Sequence, residues 1–184
     1  MSIEPGTYAL GPQSGTLSVR TGRRGAAARA GHDLLIEVGA WGATVQIGAD
    51  PQQTVLELTA DSGSLRVLEG TGGMQSLGED DRRNIDQTIV DEVLKGTAIA
   101  FRSSSVRPSG DGRLSVQGDL ELSGGSNPIE FELELGDDGR LTASAVVKQT
   151  AWGMKPYTAL FGTLKVADEI EVIVDGRLSL VSGV

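Results

Sequence analysis

The fold is decided by residues 97–147, which read TAIAFRSSSVRPSGDGRLSVQGDLELSGGSNPIEFELELGDDGRLTASAVV. Apolar and polar residues alternate through four successive segments, so each segment should be a strand with one dry face. The apolar sets are Ile99 and Phe101; Leu114, Val116, Gly118, Leu120 and Leu122; Ile129, Phe131, Leu133 and Leu135; and Leu141, Ala143, Ala145 and Val147. The links between the segments are rich in Gly, Ser, Asn and Asp, which indicates an antiparallel meander.

Shorter alternating segments flank this meander on both sides. They lie near residues 8–10, 16–20, 34–38, 41–47, 56–60, 65–68, 164–166, 170–174 and 178–180. The basic, Ala-rich stretch 21–31 indicates a loop or an irregular strand. The period changes once, because Ile85, Ile89, Val90, Val93 and Leu94 share one stripe of a helix. The pattern therefore predicts one inserted α-helix over about 80–95.

The half-polar strands must hide their dry faces from water, either by stacking two sheets or by closing one sheet into a barrel. The short links favour closure. The sequence thus predicts an all-β, antiparallel up-and-down barrel of about eight or more strands, formed by a single domain over residues 1–184. The aromatic-rich stretch from Trp152 to Gly162 interrupts the alternation, and a short helical turn is expected near 153–161.

Composition excludes several classes of partner. The formal charge of −9 argues against a surface that binds nucleic acid or an anionic membrane. There is no Cys, so no disulfide and no thiol chemistry is expected. The start of the chain is polar, and no stretch is long and apolar enough to cross a bilayer. We therefore expect a soluble cytoplasmic protein without stable membrane insertion.

Catalytic motifs are missing from the pattern. His32 is the single histidine, and between Gly31 and Asp33 it reads first as a structural residue that donates to a carbonyl or to Asp33. It could otherwise act as one acid or base, or as a polar anchor for a ligand. No serine lies in a nucleophile elbow, and the acids of the meander alternate with its apolar residues. The sequence therefore predicts no catalytic residue, no metal site and no cofactor.

Several diffuse strand signatures carry a resemblance that spans nearly the whole chain. They are Ala30-Gly31-His32-Asp33-Leu34, the helix before Lys95-Gly96-Thr97-Ala98-Ile99-Ala100-Phe101, the run from Leu114, Asn127-Pro128-Ile129, and Asp168-Glu169-Ile170 to Val174. On these residues the chain resembles the YceI-like family. The resemblance implies a lipocalin-like, eight-stranded barrel that holds a polyisoprenoid or similar amphiphilic lipid, often as a homodimer. Unlike many members, this sequence shows no secretion signal, so periplasmic lipid transport is not implied, and Gly39-Ala40-Trp41-Gly42-Ala43 departs from the family pattern.

The leading hypothesis is binding, sequestration or transport of an isoprenoid-type or fatty-acyl lipid inside the barrel. The residues expected to contact it are Leu34, Ile36, Trp41, Ile89, Val93, Ile99, Phe101, Phe131, Trp152, Met154, Tyr157, Leu160 and Phe161, with His32 as a polar anchor. Two alternatives stay open at this point. One is an enzyme that acts on a small apolar substrate, which the apolar lining does not favour, and the other is a solid-cored interaction module.

Overall fold

A computed structural model describes residues 3–181 and is built mainly from β-strands, so residues 1–2 and 182–184 of the predicted domain lie outside the described range. The first strands are β1 (Gly6–Leu10), β2 (Gly15–Thr21), β3 (Arg23–Arg24), β4 (His32–Val38), β5 (Trp41–Ile47), β6 (Val55–Ala60) and β7 (Leu65–Gly72). The helix α1 (Glu79–Thr88) follows. The remaining strands are β8 (Ile99–Gly110), β9 (Arg113–Leu122), β10 (Gly125–Leu135), β11 (Arg140–Lys148), β12 (Thr158–Ala159), β13 (Leu164–Val166), β14 (Glu169–Arg177) and β15 (Ser179–Leu180).

Twelve of these strands form one antiparallel sheet that curls into a barrel. Its order is β15-β1-β5-β6-β8-β9-β10-β11-β14-β2-β4-β7. Four pairs of segments are successive along the chain, namely β1 with β2, β4 with β5, β6 with β7, and β14 with β15. Each pair behaves as one bent strand. For example, β2 pairs with β14 on one side and β4 on the other, and β1 continues this pattern by pairing with β15 and β5. The result is the up-and-down, lipocalin-like all-β fold that the alternation and the resemblance predicted.

The alternation of the meander is confirmed residue by residue. Phe131 lies opposite Val116, and Leu133 lies opposite Leu114, so the predicted apolar sets share one face. Val116 is completely buried, whereas its neighbour Gln117 is exposed. The β9–β10 link is tighter than expected: only Ser123 and Gly124 separate the strands, with φ angles of 50° and 79°, as a two-residue hairpin turn with positive φ at both positions requires.

The predicted helix is present, with a change of winding near its end. Regular α1 stops at Thr88, and Ile89–Val93 forms a π-helical turn in which the Leu94 N–H donates to the Ile89 carbonyl at 2.8 Å. The helix occupies the side of β7 that carries no strand within residues 3–181. Asp86 of α1 accepts a hydrogen bond from the backbone N–H of Val67 at 2.7 Å. The helix therefore packs against β7 and contributes residues to the inner wall of the barrel.

The helical turn expected near 153–161 is displaced. Short 3-10 turns occur at Gln149–Trp152 and at Leu160–Gly162, on either side of a segment without helix. Pro156 explains the irregular middle, since it offers no N–H and biases Lys155 toward extended backbone. The basic stretch 21–31 is also mixed, because β3 pairs with β13, and β13 with β12, in a separate three-stranded sheet.

The interior of the barrel divides into two halves. One half is densely filled and includes Val106 and Val116, which are 1% and 0% exposed. In the other half, inward residues such as Val19, Phe131 and Val172 keep partly accessible surfaces. Their accessibility comes from open space inside the barrel, which is where a functional site can lie.

Candidate functional site

The site is a cavity of about 480 Å³ inside the less densely filled half of the barrel. Its volume falls within the range of about 300–1,000 Å³ that is typical of small-molecule sites. The solid-cored alternative therefore does not describe this half of the barrel. The cavity reaches the surface where its exposed wall residues lie, namely Asn84 of α1, Tyr157 just before β12, and Lys165 of β13.

The wall of the cavity is almost entirely aliphatic and aromatic. Its strand-borne apolar members are Leu17, Val19, Leu34, Ile36, Val38, Leu58, Ala60, Leu65, Ile99, Phe101, Leu120, Leu122, Ile129, Phe131, Ala143, Ala145, Val147, Ala159, Leu164, Val166, Ile170, Val172 and Val174. No Asp or Glu of residues 3–181 belongs to the wall. The strand acids of the meander, such as Glu130, are exposed on the outer face. A wall of this kind solvates hydrocarbon and offers no carboxylate for acid–base work.

One side of the wall is supplied by the helix and the π-helical turn. Ile85, Ile89 and Val93 line the cavity, as the helical stripe predicted, and Leu94 beside them is 6% exposed. The Ser123 hydroxyl holds the end of this segment by donating to the Val93 carbonyl at 3.3 Å. The helical segment is thus held to the sheet at two points, by this bond at the end of the π-helical turn and by the bond from Val67 to Asp86 of α1.

Two aromatic residues of the cavity wall contact each other. The rings of Phe101 and Phe131 lie with centroids 5.4 Å apart and planes inclined by 58°, a tilted aromatic contact of the favourable kind. The Phe101 ring fits over Gly118, where an added Cβ would lie 2.6 Å from the ring atom Cζ. Glycine at position 118 therefore gives the Phe101 ring the room that its observed orientation needs.

The 3-10 turn Gln149–Trp152, which follows β11, is held in place by hydrogen bonds. The Gln149 side chain is 4% exposed and donates through Nε2 to the Ala167 carbonyl at 2.9 Å. The Thr150 hydroxyl and backbone N–H both donate to Asp168, at 2.6 and 2.8 Å. These hydrogen bonds, the hydroxyl bond foremost, lower the pKa of the Asp168 carboxyl below its usual value. The turn is fixed in this way, and Met154 just beyond it reaches the cavity wall.

Four polar residues of the wall lie on elements beside the opening, whereas the wall residue Gln149 is buried. Arg23, His32, Asn84 and Lys165 all belong to the wall and lie on the elements that surround the opening. Arg23 is partly neutralised, because its Nε lies 3.8 Å from an Asp33 carboxylate oxygen and its Nη1 donates to the Gly31 carbonyl at 2.6 Å. The site is therefore apolar in depth and polar at its entrance.

His32 serves the local structure in the way that the sequence first suggested. Its Nε2 lies 2.7 Å from the Gln75 carbonyl, and since a carbonyl only accepts, the imidazole must donate through Nε2. An added Cβ at Gly73 would lie 2.7 Å from the ring atom Cε1, so the ring also rests on the backbone of the loop after β7. His32 belongs to the cavity wall and also pins this loop beside the opening.

The structure brings together most of the residues that the sequence nominated. Those that belong to the cavity wall are Leu34, Ile36, Ile89, Val93, Ile99, Phe101, Phe131, Met154, Tyr157 and His32. Four nominated residues lie off the wall. Trp41 is buried beside the wall residue Ala60, and Trp152 is buried with its Nε1–H donating to the Leu120 carbonyl at 2.7 Å. Leu160 and Phe161 project to solvent at the opening.

Sequence reasoning missed part of the wall. Ala143, Ala145 and Val172 lie on it, and their positions on dry faces were visible in the alternation. The alternation does not show which part of each apolar face borders the cavity. That depends on the distance between this face and the opposite side of the barrel. Lys165 and Asn84 carried no periodic signal at all.

The described residues carry neither a metal site nor a membrane-spanning helix. Among residues 3–181, no group of three or more His, Cys, Asp or Glu side chains is placed so that it could hold a metal ion. Across the same range, every helix is too short or too polar to traverse a bilayer.

Comparisons with known proteins agree with this architecture. A family model described as the YceI-like domain matches residues 14–178. Burkholderia cenocepacia BcnA is similar in structure, with a TM-score of 0.62 and 17% identity over 89% of this chain and 96% of that one. So is a polyisoprenoid binding domain from Saccharophagus degradans implicated in plant cell wall breakdown, with a TM-score of 0.61 and 9% identity over 97% and 100%. The Campylobacter jejuni YceI protein gives 0.57 and 15% over 80% and 85%. No curated protein matches the chain.

Proposed function

Because the chain belongs to the YceI-like domain family, we propose that it binds an amphiphilic lipid of the isoprenoid or fatty-acyl type inside its barrel. The hydrocarbon chain occupies the cavity, and the polar head stays at the entrance. The protein holds the lipid away from water, which suits sequestration or transport. The similar domain from Saccharophagus degradans is a polyisoprenoid binding domain, which supports this class of ligand.

The observation that carries the proposal is the apolar cavity of about 480 Å³ with a polar entrance. An apolar cavity gives water few hydrogen-bond partners, so it favours an apolar occupant. Each methylene moved from water into such a space contributes roughly 0.8 kcal/mol before the costs of binding. A long chain therefore needs few directed contacts, which fits a wall with little polar surface.

The expected ligand contacts are the nominated residues that lie on the wall, together with the alanines and valines of β11 and β14. Phe101 and Phe131, whose rings contact each other on the wall, are among the residues that contact the chain. Lys165, Asn84 and His32 lie nearest to the head group. A cytoplasmic location and a homodimer stay predictions of the sequence and of the family resemblance.

The proposal is tested by titrating the purified protein with a fluorescent fatty acid and displacing it with unlabelled ligands. We expect saturable binding that is displaced by long-chain fatty acids or prenols, more strongly as the chain lengthens, because each added methylene buries more apolar surface. Short-chain acids of equal charge are the control and should displace weakly. Displacement that is independent of chain length, or no saturable binding, would contradict the proposed function.

A further inference from the structure

The charge of the protein is distributed unevenly around the cavity opening. Two segments, residues 22–31 and 153–167, carry Arg23, Arg24, Arg29, Lys155 and Lys165 and no acidic residue. The other 11 basic residues and all 25 acidic residues lie elsewhere in the chain. The net charge of −9 is thus an average over a strongly acidic body and a basic region. We call residues 22–31 and 153–167 the rim segments.

The two rim segments lie together in space at the opening. Strand β3 of the first pairs with β13 of the second, with Arg24 opposite Lys165. The Ala27 N–H donates to the Thr163 carbonyl at 2.9 Å, which joins the loop after β3 to the β12–β13 link. Both segments contribute wall residues, among them Ala30 and Tyr157. The basic region therefore surrounds part of the entrance itself.

The same rim exposes large apolar side chains. Phe161 is 109% exposed, Leu160 53% and Tyr157 46%. Outside the rim segments, on the loop that is bonded to His32, Met74 is 80% exposed. Leu160 and Phe161 both have left-handed backbone, with φ of 50° and 57°, a conformation that bulky residues rarely adopt. Strain of this kind, on a fully exposed aromatic residue at a cavity entrance, indicates a functional position.

We propose that the rim segments dock onto the surface of an anionic lipid bilayer. Phe161 and Leu160 insert among the acyl chains just below the head groups. Arg24, Arg29, Lys155 and Lys165 lie at the level of the anionic head groups, whereas Arg23 is paired with Asp33. This combination of apolar insertion with surrounding basic residues is how peripheral proteins hold an anionic membrane surface. Docking brings the cavity entrance against the bilayer, so a lipid can pass between membrane and barrel without crossing water.

The charge of the neighbouring elements fixes which side of the entrance makes the contact. The first turn of α1 carries Glu79, Asp80 and Asp81, and Arg83 is engaged by Asp80 at 3.1 Å. Anionic head groups would repel this side of the entrance. The membrane contact is therefore assigned to the rim segments alone. The inference deepens the proposed function, on which it rests, by naming the surface with which the lipid is exchanged.

Vesicle flotation of the full-length protein tests this docking surface. The vesicles are phosphatidylcholine alone, or equal parts of phosphatidylcholine and phosphatidylglycerol. We expect the wild type to float with the anionic vesicles and to be released by salt. Phe161→Ser should lower the vesicle partition coefficient on the order of 10-fold, because it removes the inserted side chain. Arg29→Glu should have a similar effect through charge.

Matched controls separate docking from general surface changes. Val146→Ser alters an exposed apolar residue on the outer face of β11, and Arg107→Glu makes the same charge change on β8. Both should partition within about 2-fold of the wild type, in line with a surface that is local to the rim. Equal losses in Phe161→Ser and Val146→Ser, or no difference between the two vesicle types, would overturn the proposal. Docking is likewise refuted if the wild type floats with neither vesicle.

Fluorescent fatty-acid binding without vesicles distinguishes the failure of docking from the failure of lipid binding. Phe161→Ser and Arg29→Glu should bind the fatty acid as the wild type does, since neither position lies on the cavity wall. If the wild-type protein binds the fatty acid but does not float with anionic vesicles, the docking proposal is wrong and the proposed function stands. If the protein floats in a Phe161-dependent way but binds no fatty acid, the proposed function is wrong and the docking proposal stands.

Discussion

Replacing Ala145 with Phe is expected to reduce lipid binding by at least about 10-fold while leaving the barrel folded. Ala145 lies on the cavity wall and opposite Val172 of β14, another wall residue. A phenyl ring at this position occupies space that the lipid chain would otherwise fill. The open half of the barrel has room for it, so the substitution avoids the overpacking cost of about 1–3 kcal/mol that a filled core imposes. Displacement of a fluorescent fatty acid measures the effect.

The adjacent residue offers a matched control for this variant. Val146 lies on the same strand and is 62% exposed on the outer face. Val146→Phe adds a ring to the same strand without entering the cavity, so its lipid affinity should match that of the wild type. Equal losses of binding in the two variants would mean that β11 tolerates no ring at all. Unchanged binding in Ala145→Phe would place the lipid outside the cavity.

Removing a large side chain from the filled half of the barrel should lower the free energy of unfolding strongly. Leu133 is 2% exposed and lies between Leu114 and Ala143 on the neighbouring strands. Leu133→Ala creates a void in a packed region, and losses of about 2–5 kcal/mol are typical of such changes. Urea denaturation, followed by tryptophan fluorescence, measures the free energy of unfolding.

The same substitution at Leu58 should cost less, below about 2 kcal/mol, because part of this side chain already faces open space and has fewer neighbours to lose. Both variants replace Leu with Ala, so the transfer free energy of the deleted atoms is the same in the two cases. If Leu58→Ala costs as much as Leu133→Ala, the two halves of the barrel are equally well packed and the cavity is filled by its own side chains in solution.

Most of the fold could be predicted because alternation is a local property of the chain. Each strand of the meander had its inward and outward residues readable from the residue order, and burial of Val116 beside exposed Gln117 confirms that reading. The helix was readable for the same reason, since its stripe spans only a few turns. Its change to π-helical winding at Ile89–Val93 was not, because that depends on how the segment packs against β7 and β9.

The candidate site was only partly predictable, because enclosure is a property of the assembled barrel. Aromatic content marked Trp41 and Trp152 as ligand contacts, yet the first is buried beside the wall and the second is tied to the Leu120 carbonyl. The wall instead contains small residues such as Ala143 and Ala145, whose short side chains leave part of the barrel interior unfilled. Net charge also concealed the basic rim, since a sum over the chain carries no information about position.

The most direct test of the account is native mass spectrometry of freshly purified full-length protein. We expect a population whose mass exceeds that of the chain by one lipid, and organic extraction of the same sample should release an isoprenoid or fatty-acyl compound. Ala145→Phe, purified in parallel, should give the mass of the chain alone. Wild-type protein that carries no lipid, and that stays free of lipid after incubation with prenols and long-chain fatty acids, would contradict the central claim.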